Sequence, residues 1–348
     1  MSLNLLDGIQ PEDLIAFIRQ MPMPDDHLIT REILKETLIQ SVKYRIKRTS
    51  NFTNVASFRA WNAEAVYGRR EVQHSITEGL LPPVSQKFLV GELEQILLDI
   101  ERGADNGELI DEVYDDAQRG VNAIRARLEL AAGQLLQTGQ FNLTDENGLT
   151  ISADFQVPAA NMPVVTTFWD QAGATPLSDE IAWVNYQIQN GWGIPGGAMT
   201  SLRVLTALAK SHDYQEAFFA RGVTNYPMLN FGQVNQVRAM YGLPQIQQYD
   251  TQVRVDGVSQ RVTSDNRFWL LPADVSLLGE TQYGITAESI ALNRQANSGT
   301  KIAREDMPGI ITTVSEDDDP IRVETRSTAV AMPLLFEPRL MIAAQVLS

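Results

Sequence analysis

The chain has 348 residues, 44% of them hydrophobic, which is enough for a sizeable core. Its net charge of −15 argues against a protein that grips nucleic acid through overall charge, though not against one that encloses it and must not stick. It has no cysteine and only three scattered histidines, His27, His74 and His212, which excludes disulfides and thiolate metal sites. The opening residues lack a basic, then apolar leader, and no apolar run nears the roughly 18 residues that span a bilayer. A soluble protein made in the cytoplasm is the expectation.

Residues 1–50 read as an arm. A short amphipathic helix is expected over Pro11–Arg19, then the turn MPMPDD, then a second helix from Thr30 to about Val42. Residues 51–92 read as extended: Val55, Phe58, Trp61, Val66, Tyr67, Val72 and Ile76 are spread among polar residues, and Gly68, Gly79 and Pro82-Pro83 break the stretch. Such a segment cannot bury itself and needs a partner surface. Residues 108–138 carry the clearest helical period, with Ile110, Val113, Ala117, Val121, Ile124, Leu128, Ala131 and Leu135 at spacings of three and four. A coiled coil is the rival reading of that stretch.

A hairpin is expected around Asn147-Gly148. From 159 to 318 helices and strands alternate. Leu177, Ile181, Val184 and Ile188 mark a helix with Pro176 near its start and Gly191 after its end; others are expected from about Ser201 to Lys210 and over Gly232–Tyr241, with a hairpin at Asp256-Gly257. "NRFWLLPADVSLLGETQYGIT" (266–286) reads as a rigid strand–turn–strand with no chemistry attached. The final stretch, TAVAMPLLFEPRLMIAAQVLS, is apolar and should end inside a core.

No catalytic, cofactor or metal site is expected. Gly191, Gly193, Gly196 and Gly197 match neither a dinucleotide nor a phosphate loop. His212 and Asp213 are neighbours on a helix that do not face each other, and they read as a solvated helix terminus. The acidic run 315–320 reads as a solvated loop, and Trp169, Trp183, Trp192 and Trp269 as core or interface.

Taken together, the segments resemble the major capsid proteins of tailed bacteriophages, of the lambda-type capsid protein E family. The matching stretches are GLLPPVSQKFLVGELE (79–94), YDDAQRGVNAIRARLELAAGQLLQTGQFNLTDENGL (114–149), YGLPQIQQYDTQVRVDG (241–257), NRFWLLPADVSLLGETQYGIT (266–286) and AVAMPLLFEPRLMIAAQVL. The resemblance implies an α+β, HK97-like capsid fold. It would comprise an N-terminal arm (1–50), an extended loop reaching over a neighbour (51–92), a peripheral domain with a long spine helix (93–158), an axial domain (159–318) and a return to the peripheral domain (319–348). It further implies pentamers and hexamers forming an icosahedral head around double-stranded DNA held without sequence-specific contact. Its expected partners are a portal protein, a separate scaffolding protein and, in some relatives, a decoration protein; its place is the virion, after assembly in the host cytoplasm. The alternatives are an encapsulin-type nanocompartment shell and a small α/β enzyme.

Charge adds a contact expectation. On a chain this acidic, Arg69 and Arg70 in the extended loop could offset repulsion by meeting a neighbour's Glu108, Asp111, Glu112, Asp115 and Asp116.

Overall fold

The computed structural model describes residues 16–18, 20–51, 72–92, 107–146, 148–219, 226–296, 309–318 and 321–348. Residues 16–18 and 20 are helical, and the rest of the expected first helix lies outside the described residues. The second expected helix does not form. A single π-helical turn, Ile29–Ile33, is followed by strand β1 (Glu36–Leu38), which pairs in parallel with a strand some 245 residues away. Helix propensity over 30–42 is real but small, and tertiary pairing overrides it.

Next come β2 (Lys43–Asn51) and β3 (Val72–Leu80), an antiparallel ribbon, then β4 (Pro83–Val90). The extended reading of 51–92 holds for its described part, but the ribbon starts eight residues earlier, inside the expected arm. Helix α1 (Gly107–Thr138) confirms the long helical period, and it packs mainly against a sheet. The hairpin β5 (Gln140–Glu146) and β6 (Leu149–Asp154) follows, turning at Gly148, whose φ of 80° suits glycine.

Helices α2 (Pro176–Gln189), α3 (Leu202–Lys210), α4 (His212–Phe219) and α5 (Phe231–Met240) are interleaved with β7 (Pro195–Thr200). Thr175 gives α2 no side-chain cap. Asp213 of α4 replaces it, accepting from the Leu177 amide at 2.8 Å, so this residue is not the solvated terminus expected. Then come β8 (Ile246–Gln248) and the hairpin β9 (Gln252–Val255) and β10 (Val258–Arg261). Asp256 and Gly257 have φ of 50° and 80°, the two positive values of a type I′ turn. The chain closes with β11 (Arg267–Pro272), β12 (Gly279–Tyr283), α6 (Ala287–Ala296), β13 (Ile311–Asp318), β14 (Ile321–Leu335) and β15 (Ile342–Gln345).

Two main sheets result. One has the order β1-β12-β14-β13, with β4 pairing the first half of β14 on the side that β12 pairs further along; the other has the order β15-β11-β7-β8. The strand–turn–strand of 266–286 forms as expected, and its two strands part company, β11 to one sheet and β12 to the other. Two expectations change here. The last strand, β15, pairs with β11 and does not return to the sheet of β14. The first four residues of the acidic run, 315–318, end β13, with Asp317 opposite Arg322 and Asp318 opposite Ile321, not a free loop; 319–320 lie outside the described residues.

The β11 sheet explains the unbroken apolar run Phe268–Leu271. Successive strand residues point to opposite faces. Trp269 and Leu271 join the core under α1, and Phe268 and Leu270 join the core of α2, α3 and α5. Met199 and Ala198 of β7, and Ala343 and Ala344 of β15, divide in the same way. A sheet covered on both faces needs apolar residues at every position. Val346 and Leu347 end fully buried in the second core, as the terminal stretch suggested.

Glycine sets one close approach. A Cβ on Gly133 of α1 would lie 2.4 Å from the Val262 carbonyl oxygen. Alanine there would gain about 1 kcal/mol of helix propensity, but overlap with backbone costs about 1–3 kcal/mol. We expect Gly133→Ala to be destabilising by roughly 1 kcal/mol in urea unfolding; a more stable variant would show that the β9–β10 hairpin yields freely.

Candidate assembly surface

The β2–β3 ribbon has nine residue pairs and, among the described residues, no third strand. Its root is fixed by Tyr44 and Ile46, both buried in the core under α1. Gly79 lies across from Tyr44, where a Cβ would come within 2.7 Å of the phenol oxygen. Burial pushes the Tyr44 hydroxyl above its usual range, so it stays protonated. On either side of Tyr44, Lys43 and Arg45 stand exposed, and so does Leu80 at the ribbon's base.

The sequence-predicted contact residues separate. Arg69 and Arg70 lie outside the described residues. Glu108, Asp111 and Glu112 fall in the first turns of α1. Asp115 is exposed, but Asp116 is only 4% exposed and bonded to Arg119 at 3.2 Å. A buried carboxylate already held within its own helix is not open to a neighbour, so Asp116 leaves the set.

The arm runs along α1 in the same direction. Phe17 meets Tyr114 edge-on at 5.1 Å, Ile18 packs on Ala117 and Val121, and Arg125 donates to the Pro22 carbonyl at 2.9 Å. The contact ends at Glu129, fully buried, whose carboxylate accepts four hydrogen bonds. They come from the Ile29 amide (2.9 Å), the Thr30 amide (2.8 Å), the Thr30 hydroxyl (2.6 Å) and the Tyr249 hydroxyl (2.6 Å). Burial first, and the Glu129 charge second, hold the Tyr249 hydroxyl far above its ordinary range, keeping it a donor. One side chain thus joins the arm, the long helix and the residue that follows β8. Sequence reasoning missed it. The available signal was a lone acid in the apolar run LELAA.

A second polar node lies in the other core. Glu180, Tyr214 and Arg238 come from α2, α4 and α5, and both charged residues are fully buried. Glu180 pairs with Arg238 and accepts from the Tyr214 hydroxyl at 2.6 Å. Arg238 also donates to the Pro244 carbonyl at 2.7 Å and lies 5.4 Å from the Phe268 ring centre. Burial raises the Glu180 carboxyl, with the guanidinium working against it. This node ties three helices to β11 and touches no surface.

The model of the family described as phage major capsid protein E matches residues 11–346. Three solved structures share the fold at low identity. One, assigned as the capsid protein of an Escherichia coli CFT073 prophage, is 14% identical with a TM-score of 0.62, over 97% of this chain and 99% of that one. A phage-related protein from Bordetella bronchiseptica RB50 is 12% identical with a TM-score of 0.57, over 97% of each chain. The mature capsid of bacteriophage PhiM1 gives 11% identity and a TM-score of 0.51, over 94% of this chain and 88% of that one. No curated protein matches in sequence. An arm laid along a long helix, a ribbon in want of a partner and two cores sharing one sheet are thus the parts of an HK97-like capsid subunit, and the chain belongs to the phage major capsid protein E family, a shell-forming structural protein of the virion.

Proposed function

We propose that this chain assembles into pentamers and hexamers that close an icosahedral head around double-stranded DNA. The β2–β3 ribbon is the observation that supports the reading: a two-stranded ribbon is marginal alone in water and gains stability only against another surface. In the assembled shell that surface is a neighbouring copy. Arg69 and Arg70, carried between the two strands, add cations to the same contact. The inner face is neutral or acidic, so that packaged DNA slides without sequence-specific contact. A separate scaffolding protein, a portal protein and, optionally, a decoration protein complete the head, which assembles in the host cytoplasm before DNA enters.

Electron microscopy of the purified chain, alone and co-expressed with its scaffolding protein, tests this. Rings or closed particles are expected. A monodisperse monomer under every condition would overturn the reading, and particles filled with a protein cargo instead of DNA would favour the nanocompartment alternative.

A further inference from the structure

Three consecutive residues between β8 and β9 each hold a different part of the chain. The Tyr249 hydroxyl donates to Glu129 of α1 at 2.6 Å, and the Thr251 hydroxyl donates to the Asp26 carbonyl of the arm at 2.6 Å. Asp250, between them, reaches the start of α3 instead. Its carboxylate accepts from the Leu202 amide at 3.0 Å and from Gln248 at 2.8 Å, and it pairs with Arg261 of β10. The backbone of the segment is held as well: the Tyr249 amide donates to the Thr200 carbonyl at 2.8 Å, and the Thr251 carbonyl accepts from the Val262 amide at 3.1 Å.

The first amides of a helix have no partner within it and must find one elsewhere. In α3 the Ser201 hydroxyl accepts from the Val204 amide at 3.2 Å, while the Leu202 amide depends on Asp250, 48 positions along the chain. Burial works against the Asp250 charge, yet Gln248, the Leu202 amide and Arg261 outweigh it and hold this carboxyl below its usual range. It stays ionised as a cap.

Both neighbours of Asp250 feel the arm. Undocking would take the Asp26 acceptor away from Thr251. It would also take three of the four donors away from Glu129, leaving that buried carboxylate with Tyr249 alone. A buried charge so depleted is costly, and it is relieved by moving toward water with Tyr249 attached.

We infer that Tyr249-Asp250-Thr251 couples the docking of the arm to the capping of α3, so that release of the arm frees the first turn of that helix. The arm has two states, docked and released, and α3 reads them through this one short segment. Leu202, Gln248, Asp250 and Arg261 also line a groove of about 1080 Å³ together with the loop 169–174, so release reshapes a surface as well as a helix start.

Hydrogen exchange on the full-length chain, read by mass spectrometry, tests the coupling in both directions. Thr30→Val weakens the arm's hold and should raise the opening of residues 26–33 and of 201–206 together, by roughly five-fold or more in each. Asp250→Ala removes the cap and should in turn raise the opening of the arm, because coupling between two sites is reciprocal. Helix α5 is the reference, since Val234 and Val237 share a core with Val204 and Leu208 of α3. Its exchange should not change. Tyr249→Phe with Thr251→Val cuts both links, and in that background Thr30→Val should loosen the arm alone. If circular dichroism shows that this linker variant does not fold, the two single variants still decide. An arm that loosens without α3, an equal rise in α5, or a response that survives the cut linker would each overturn the inference.

Discussion

Glu129→Gln is expected to lower the unfolding free energy by roughly 3–5 kcal/mol, although it changes one atom. An amide presents one acceptor where the carboxylate has two. Whichever way it turns, its NH2 group faces one backbone amide, of Thr30 or Ile29, which can only donate, beside one hydroxyl, of Thr30 or Tyr249, which must turn to accept. Hydrogen bonds to a charged group contribute about 1.5–3 kcal/mol each; one is lost outright with its amide left buried and unpaired, and the others lose the charge they were made to. Thr30→Val and Tyr249→Phe each remove only part of the set and should cost about 1–2 kcal/mol. Urea unfolding measures the total, and limited proteolysis around residues 20–35 should show the arm released first. A Gln variant within about 1 kcal/mol of wild type, with the arm still protected, would mean the carboxylate is incidental.

Arg238→Met should cost a comparable 3–5 kcal/mol, for a different reason. It leaves Glu180 fully buried with the Tyr214 hydroxyl as its one remaining partner in the node. An uncompensated charge in a core is far more costly than a missing pair. Glu180→Leu, Tyr214→Phe and Arg238→Met made together should therefore recover most of the loss, since well-packed apolar groups often equal a buried ion pair. Denaturant midpoints of the single and triple variants decide it. A triple variant as weak as the single one would show that the node supplies something apolar packing cannot.

Legibility followed distance along the chain. The long helix was readable because Val113, Ala117, Val121, Ile124 and Leu128 repeat the helical period, and its burial confirms that face. Gly148, and Asp256 with Gly257, were readable because a positive φ demands those residue types. Thr30 to Val42 was misread because its fate is decided by Glu129 and by β12, each about 100 residues or more away. The apolar residues of 266–286 were recognised, yet their division between two sheets was not, since an apolar run does not say which sheet it enters. β15 was hidden by the same ambiguity. Among the candidate contacts, Asp116 looked like Asp115 in sequence. One step around the helix separates a solvent-facing acid from one that is 4% exposed.

The two-faced β11 sheet also bears on how the subunit comes apart. Phe268 and Leu270 of β11 belong to one core, Trp269 and Leu271 to the other. Loss of the helices on one face would strip Phe268 and Leu270 of cover and at the same time free the backbone that holds Trp269 against the Leu136 carbonyl. Partial opening is therefore penalised on both sides of one strand, and the two halves share a single cooperative unit despite having separate cores. A subunit built this way has a body that answers stress as one piece.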